Sequence, residues 1–145
     1  MSTSYKITTS PTLLPPKASS MISFMESFYS ISDTESQHSA YVNSFTPDAT
    51  LIMGPKTAHG ADEILTLRNG LWTHVASRKH TPSRIYFGAD NELMLHGVVR
   101  YVLKKSPGEE VEVEWAGRVV FDMEGELRMR FYQVYLDPSA QSGKK

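Results

Sequence analysis

Hydrophobic residues recur at helical spacing in the first half of the chain and alternate at strand spacing in the second. From Ser19 onward, Met21, Phe24, Met25, Phe28 and Ile31 follow at three- and four-residue steps, which predicts one amphipathic helix ending near Ser32. Ser19 and Ser20 are its N-cap candidates. Asp33-Thr34 with Gln37 has the form of a capping box and predicts a second helix running through Tyr41 and Phe45. Thr46-Pro47-Asp48 stops it, and residues 49–53 form a short apolar run ended by Gly54-Pro55, a predicted strand. After a loop to Gly60, Ile64, Leu67, Leu71 and Val75 mark a third helix, with Asp62 and Glu63 in the first turn where the helix dipole favours anions.

Everything after Ser77 reads as sheet, in runs over 78–87, 92–104, 110–122 and 126–137 joined by short polar turns suited to antiparallel hairpins. In the second run Leu93, Leu95, Val99, Tyr101 and Leu103 oppose His96, Arg100 and Lys104. In the third, Val111, Val113, Trp115, Val119 and Phe121 oppose Glu112, Glu114 and Arg118, and in the last Leu127, Met129 and Phe131 oppose Arg128 and Arg130. A shared parity means one buried sheet face and one wet one. The fold class is therefore α+β: three helices covering the odd face of a curved, mostly antiparallel sheet. Gly97 and Gly117, interior to strands, fit a bulge or bend in that curvature. Such a cone should enclose a pocket lined by Trp115, Tyr101 and Tyr135. The even face combines charges with Val98, Val120, Tyr132 and His96, and reads either as a solvated ion-pair face or as the interface of a homodimer.

Composition narrows the chemistry. The 145 residues suit one domain over 18–138, with Pro- and Ser-rich residues 1–17 as a flexible arm and 139–145 as a tail. Fifteen Lys+Arg against sixteen Asp+Glu leave a net charge of −1, so nothing pulls the chain toward nucleic acid or anionic lipid. No apolar run approaches the roughly 20 residues that span a bilayer, and no signal-peptide pattern opens the chain, so a cytoplasmic protein is expected. Without cysteine there is no thiolate nucleophile or thiolate metal site, and acid–base work falls to His, carboxylates, hydroxyls, Arg or Lys. No histidine spacing or acidic loop suggests a metal and no glycine-rich motif suggests a nucleotide, so no cofactor is expected.

Several segments resemble the nuclear transport factor two-like superfamily, in its SnoaL-like branch with polyketide cyclases and relatives of ketosteroid isomerase. They are Phe45-Thr46-Pro47-Asp48-Ala49-Thr50, Ala58-His59-Gly60-Ala61-Asp62-Glu63-Ile64, Gly125-Glu126-Leu127 and Val134-Tyr135-Leu136-Asp137-Pro138. With Arg68-Asn69-Gly70-Leu71-Trp72 and Arg78-Lys79-His80 they also look like small proteins of filamentous fungi, where the resemblance implies secondary metabolism. It implies a cone-shaped fold, hosting enzymes and binding modules alike. Ketosteroid isomerisation needs a carboxylate base and a protonated Asp, but Met53 and Gly117 fall at those positions, so that mechanism is excluded. An Asp–Arg–Asp set like that of limonene-epoxide hydrolases is absent too.

His80, at the start of the first long strand, is the leading proton carrier among five histidines, or else a structural strand-end His. Asp137 resembles the strand-closing Asp that serves acid–base chemistry in SnoaL-like cyclases, or else caps local amides. Arg68 lies four residues before Trp72, placing them on one helix face as a stacked pair or as a site for a substrate oxyanion. Tyr41 and Tyr101 are phenolic donor candidates, and Trp72, Trp115 and Tyr135 candidate walls. These residues predict cofactor-free isomerisation, cyclisation or dehydration of a small hydrophobic molecule, with a non-catalytic ligand carrier or interaction module as the alternative.

Overall fold

The computed structural model describes residues 14–141. In chain order the elements are α1 (Ala18–Ser32), α2 (His38–Asn43), β1 (Phe45–Met53), β2 (Lys56–His59), α3 (Gly60–Gly70), β3 (Val75–Ala89), β4 (Glu92–Leu103), β5 (Glu110–Asp122) and β6 (Arg128–Tyr135). A 3-10 turn, Pro138–Gln141, follows. The predicted arm and tail fall mostly outside the described residues, and no described helix is long and apolar enough to cross a membrane.

Six strands form one sheet in the order β2-β1-β6-β5-β4-β3. Every neighbouring pair is antiparallel except β1 with β6, so the sheet is mixed, and with the helices it makes an α+β cone. Odd residues of β4 and β5 face the helices as their alternation dictates: Leu93, Leu95, Val99, Tyr101, Trp115, Val119 and Phe121 are all buried. From α1, Phe24 meets Phe121 edge-on at 5.3 Å and Phe28 meets Tyr132 at 5.4 Å, joining helix and sheet in one aromatic core.

The helices and strands differ from the sequence pattern in four places. First, α2 begins only at His38, because Asp33 does not cap it; the Asp33 carboxylate is engaged across the fold. Second, β1 starts at Phe45 and turns through Gly54, at φ +57°, into the short strand β2. Third, α3 stops at Gly70, and Val75, expected on its stripe, instead opens β3. Fourth, the pairing of β5 with β6 slips between Val120↔Phe131 and Phe121↔Met129, which inserts one extra residue on β6.

That bulge reverses the parity of the last strand. Met129 points inward, but so do Tyr132 and Val134 beyond it. Phe131 lies instead on the outer face, 5.0 Å beneath the Arg118 guanidinium. Tyr132, expected outside, is therefore core, and Tyr135, expected in the pocket, is 47% exposed.

Of the two strand glycines, Gly97 has the stronger reason. A Cβ there would lie 2.3 Å from the Thr81 carbonyl oxygen, where β3 crosses at Pro82 and its register with β4 shifts.

Candidate active site in the cone

His80 opens the site. It lies on the inner part of β3, opposite Val99 of β4. Its Nδ1 is 2.5 Å from Oδ1 of Asp33, and its backbone N–H donates to Oδ2 of the same carboxylate at 2.8 Å. A carboxylate only accepts, so Nδ1 carries the proton and the short contact is charge-assisted. Nε2 is left as the basic nitrogen of the neutral ring, and no described hydrogen bond occupies it. The two side chains are 14% and 13% exposed, close to solvent yet largely shielded from it. Burial lowers the His80 pKa below its usual value, against the opposing pull of Asp33, so the imidazole is neutral at pH 7. Tyr29 and Trp115 pack on the ring at 4.9 and 5.5 Å between centroids.

A ladder of alternating cations and aromatic rings stands beside this pair. Arg68 lies over Tyr41 (4.7 Å) and Trp72 (5.4 Å), and Arg78 lies over the same Trp72 (4.7 Å) and over Tyr101 (5.2 Å). Both guanidiniums are buried. Arg78 donates to the Leu71 carbonyl at 2.7 Å and to the Tyr101 hydroxyl. Burial raises the Tyr101 pKa, and that of Tyr41 is pushed up to about 12, so both phenols stay protonated and able to donate. Deeper in the cone the Tyr29 and Tyr132 hydroxyls bond each other at 2.9 Å, and both stay neutral because burial opposes ionisation.

His80, Arg78, Tyr101, Tyr41 and Tyr132 line one internal cavity together with Ser32, Met53, Leu71, Val134 and Leu136. Its volume is about 20 Å³, room for a water molecule. The large aromatics have filled most of the space that the strand pattern leaves for a pocket. Met53 and Leu136 are partly exposed while lining the cavity, so they stand between it and solvent.

The sequence candidates divide accordingly. His80, Tyr41 and Tyr101 converge on the cavity. Trp115 packs behind His80 and Tyr29, and Trp72 lies between the two guanidiniums. Both bury an indole N–H without an acceptor among the described residues. Arg68 does not line the cavity; its fork donates to the carbonyls of Ser32 and Thr34, each at 2.7 Å. Asp137 is exposed, and its carboxylate accepts the Ser139 backbone N–H at 3.0 Å, which lowers its pKa; it is not among the residues lining the cavity with His80. Tyr135, turned outward by the β6 bulge, is bonded to Gln133.

Asp33 and Arg78 are the site residues that sequence reasoning missed. An Asp after a helix reads as a cap, and an Arg at a strand start reads as solvated. Asp33 did leave a trace, because a carboxylate at a helix C-terminus opposes the dipole and so departs from local preference. Among the described residues no group of three or more His, Asp or Glu side chains could hold a metal ion.

No protein-family model matches the chain, and no curated protein sequence does. Solved structures do match. A Catenulispora acidiphila protein with a ketosteroid isomerase-like fold, in complex with trimethylamine, aligns at a TM-score of 0.71 and 18% identity, over 84% of this chain and 93% of that one. Nuclear transport factor 2 from Cryptosporidium parvum aligns at 0.68 and 13% identity, over 86% and 98%. The chain has the nuclear transport factor 2-like fold. A Novosphingobium aromaticivorans protein named after scytalone dehydratase shares it at a TM-score of 0.66 and 15% identity, over 83% and 84%. Identities this low establish the fold alone, so an activity on this nuclear transport factor 2-like scaffold has to be argued from the cavity.

Proposed function

We propose that the protein is an acid–base catalyst that moves a proton next to a carbonyl group of a small hydrophobic molecule, with side chains of the cone as acid and base. The observation that carries this reading is that His80, held from behind by Asp33, lines one cavity together with Arg78 and Tyr101. Nε2 of His80 takes a proton from the carbon beside the carbonyl, and the C–H electrons pass to the carbonyl oxygen as an enolate. Asp33 fixes the tautomer and stabilises the imidazolium, and general-base catalysis of this kind contributes about 10²–10⁴-fold. The Tyr101 hydroxyl accepts from Arg78, which leaves its own O–H to donate to the enolate oxygen. Such a donor is worth about 10²–10³ in rate.

From the enolate, His80 returns its proton to a different carbon in an isomerisation, or to a departing β-hydroxyl, released as water, in a dehydration. The names of the solved relatives, one ketosteroid isomerase-like and one after scytalone dehydratase, fit both outcomes. Convergent donors and a neutral buried imidazole favour catalysis over a passive carrier. The cavity holds only a water-sized volume, so a substrate binds only where Met53 and Leu136 move away and widen the space beside His80. Methionine is the more adaptable of the two.

The test is deuterium incorporation from D2O into a panel of aryl ketones and cyclic 1,3-diketones, read by mass spectrometry. Wild-type protein is expected to label at least one of them, and His80→Gln to lose about 10²-fold or more of that rate. Full labelling by His80→Gln would overturn the assignment.

A symmetric homodimer through the outer sheet face is the second element of the proposal. Tyr86, Met94 and Tyr135 expose 50%, 41% and 47% of their surface on that face, with Tyr86 stacked on His96 at 5.8 Å. His96, Ala116 and Tyr135 share one rung across three strands, which sets Tyr135 in line with the Tyr86–His96 stack.

A further inference from the structure

We propose that Arg68 is the positioning residue of the His80–Asp33 pair, acting from α3 through the backbone that carries Asp33. This rests on the acid–base reading above and extends it to a residue that does not line the cavity.

Arg68 is fully buried, and its side chain crosses from α3 to the connection between α1 and α2. Nη1 donates to the Ser32 carbonyl and Nη2 to the Thr34 carbonyl, each at 2.7 Å, with a longer contact from Nη2 to the Ile31 carbonyl at 3.4 Å. Ser32 and Thr34 flank Asp33, so the guanidinium holds the backbone on both sides of the carboxylate. Its Nε donates to Nδ1 of His38 at 3.3 Å, and the guanidinium lies over the Tyr41 and Trp72 rings at 4.7 and 5.4 Å. The fork therefore has one orientation.

The electrostatics agree. Asp33 is the C-cap of α1, where the helix dipole disfavours an anion. A guanidinium on the last carbonyls of the same helix offsets that penalty and lets the carboxylate face β3. Asp33 is then fixed from two directions, its backbone gripped from α3 and its oxygens engaged by the ring and backbone N–H of His80. Lysine cannot replace this function, because an ammonium has no planar fork to span two carbonyls.

Proton NMR at pH 7 tests it through the downfield Nδ1–H of His80, assigned by its absence in His80→Gln. Wild-type protein is expected to show a slowly exchanging resonance. Arg68→Met should lose it while keeping a dispersed amide spectrum, and Arg68→Lys should show exchange about tenfold faster or more, the scale of one lost hydrogen bond. Arg118→Met, which removes the pair with Glu92 and the stacking on Phe131, both on the outer sheet face, should leave the resonance unchanged. If wild-type protein lacks the resonance, the His80–Asp33 reading fails and this one with it. If Arg68→Met keeps the resonance at the wild-type exchange rate, the pair stands and the positioning role is overturned. Should Arg68→Met not fold, Arg68→Lys decides: unchanged exchange refutes the role and faster exchange supports it. Equal acceleration in Arg118→Met refutes it as well, since loss of general stability would then suffice.

Discussion

Asp33 and His80 lie 47 positions apart in the chain, and their hydrogen bond closes α1 onto β3. A largely buried, charge-assisted bond of this kind is worth about 1.5–3 kcal/mol, so Asp33→Asn should destabilise the fold by that amount in urea titrations. A change below about 0.5 kcal/mol would mean that the pair is solvated, as exposed ion pairs are. Burial lowers the folded-state pKa of His80 below its unfolded value near 6.5, so the unfolded chain binds the extra proton first. The stability owed to the neutral ring is present above pH 6.5 and is lost as the pH falls toward the folded pKa. In His80→Gln that acid-side loss should be smaller, so the two unfolding midpoints should approach each other between pH 8 and pH 5.

Sequence legibility also divides at this scale. His80 stood out because few histidines compete and the residue pattern sets it at the start of a strand, although β3 begins earlier, at Val75. Asp33 did not, because its partner is distant in sequence and its local context, Asp-Thr with Gln37, imitates a cap. Arg78 looks like a surface charge until the fold buries it beside Trp72 and Tyr101, whereas the four-residue spacing of Arg68 and Trp72 already marks them as a stacked pair.

Among the elements, the sheet was most legible, since alternation over β4 and β5 fixes which face is covered. The last strand was less so. One extra residue at Arg130 flips Phe131, Tyr132 and Tyr135 to faces opposite those that alternation predicts, and no local residue pattern marks that bulge. The close crossing of β3 over β4 at Gly97 belongs to the same scale. Gly97→Ala would place a methyl group 2.3 Å from a backbone carbonyl, which neither strand can yield without losing register. It should cost about 3 kcal/mol, the upper part of the overpacking range. Gly117→Ala meets side-chain atoms of Tyr132 at 3.2 Å and Leu95 at 3.4 Å, with no backbone atom closer than 3.6 Å, and should cost less. Equal thermal midpoints for the two variants would contradict this ranking.

At the scale of the molecule, the cone is more filled than its sequence pattern suggests. Phe28, Tyr29, Tyr41, Phe45 and Tyr132 interlock at its base and leave a cavity near His80 of about 20 Å³. Volume of this sort is invisible to periodicity, which reports direction and not fill. The outer face exposes Tyr86, Met94 and Tyr135, and sedimentation equilibrium at micromolar concentration should find a dimer. Met94→Glu, which sets a charge in that face, should shift it to monomer with the thermal midpoint nearly unchanged; a wild-type monomer would remove the interface.

The central claim is that His80 is a neutral base at pH 7 with its proton on Nδ1 toward Asp33. Its ring nitrogen chemical shifts, followed in 15N-labelled protein from pH 5 to pH 9, test this most directly. The predicted result is a protonated Nδ1, an unprotonated Nε2 throughout the neutral range, and a titration midpoint below 6.5. An imidazolium at pH 7, or a neutral ring protonated at Nε2, would contradict it.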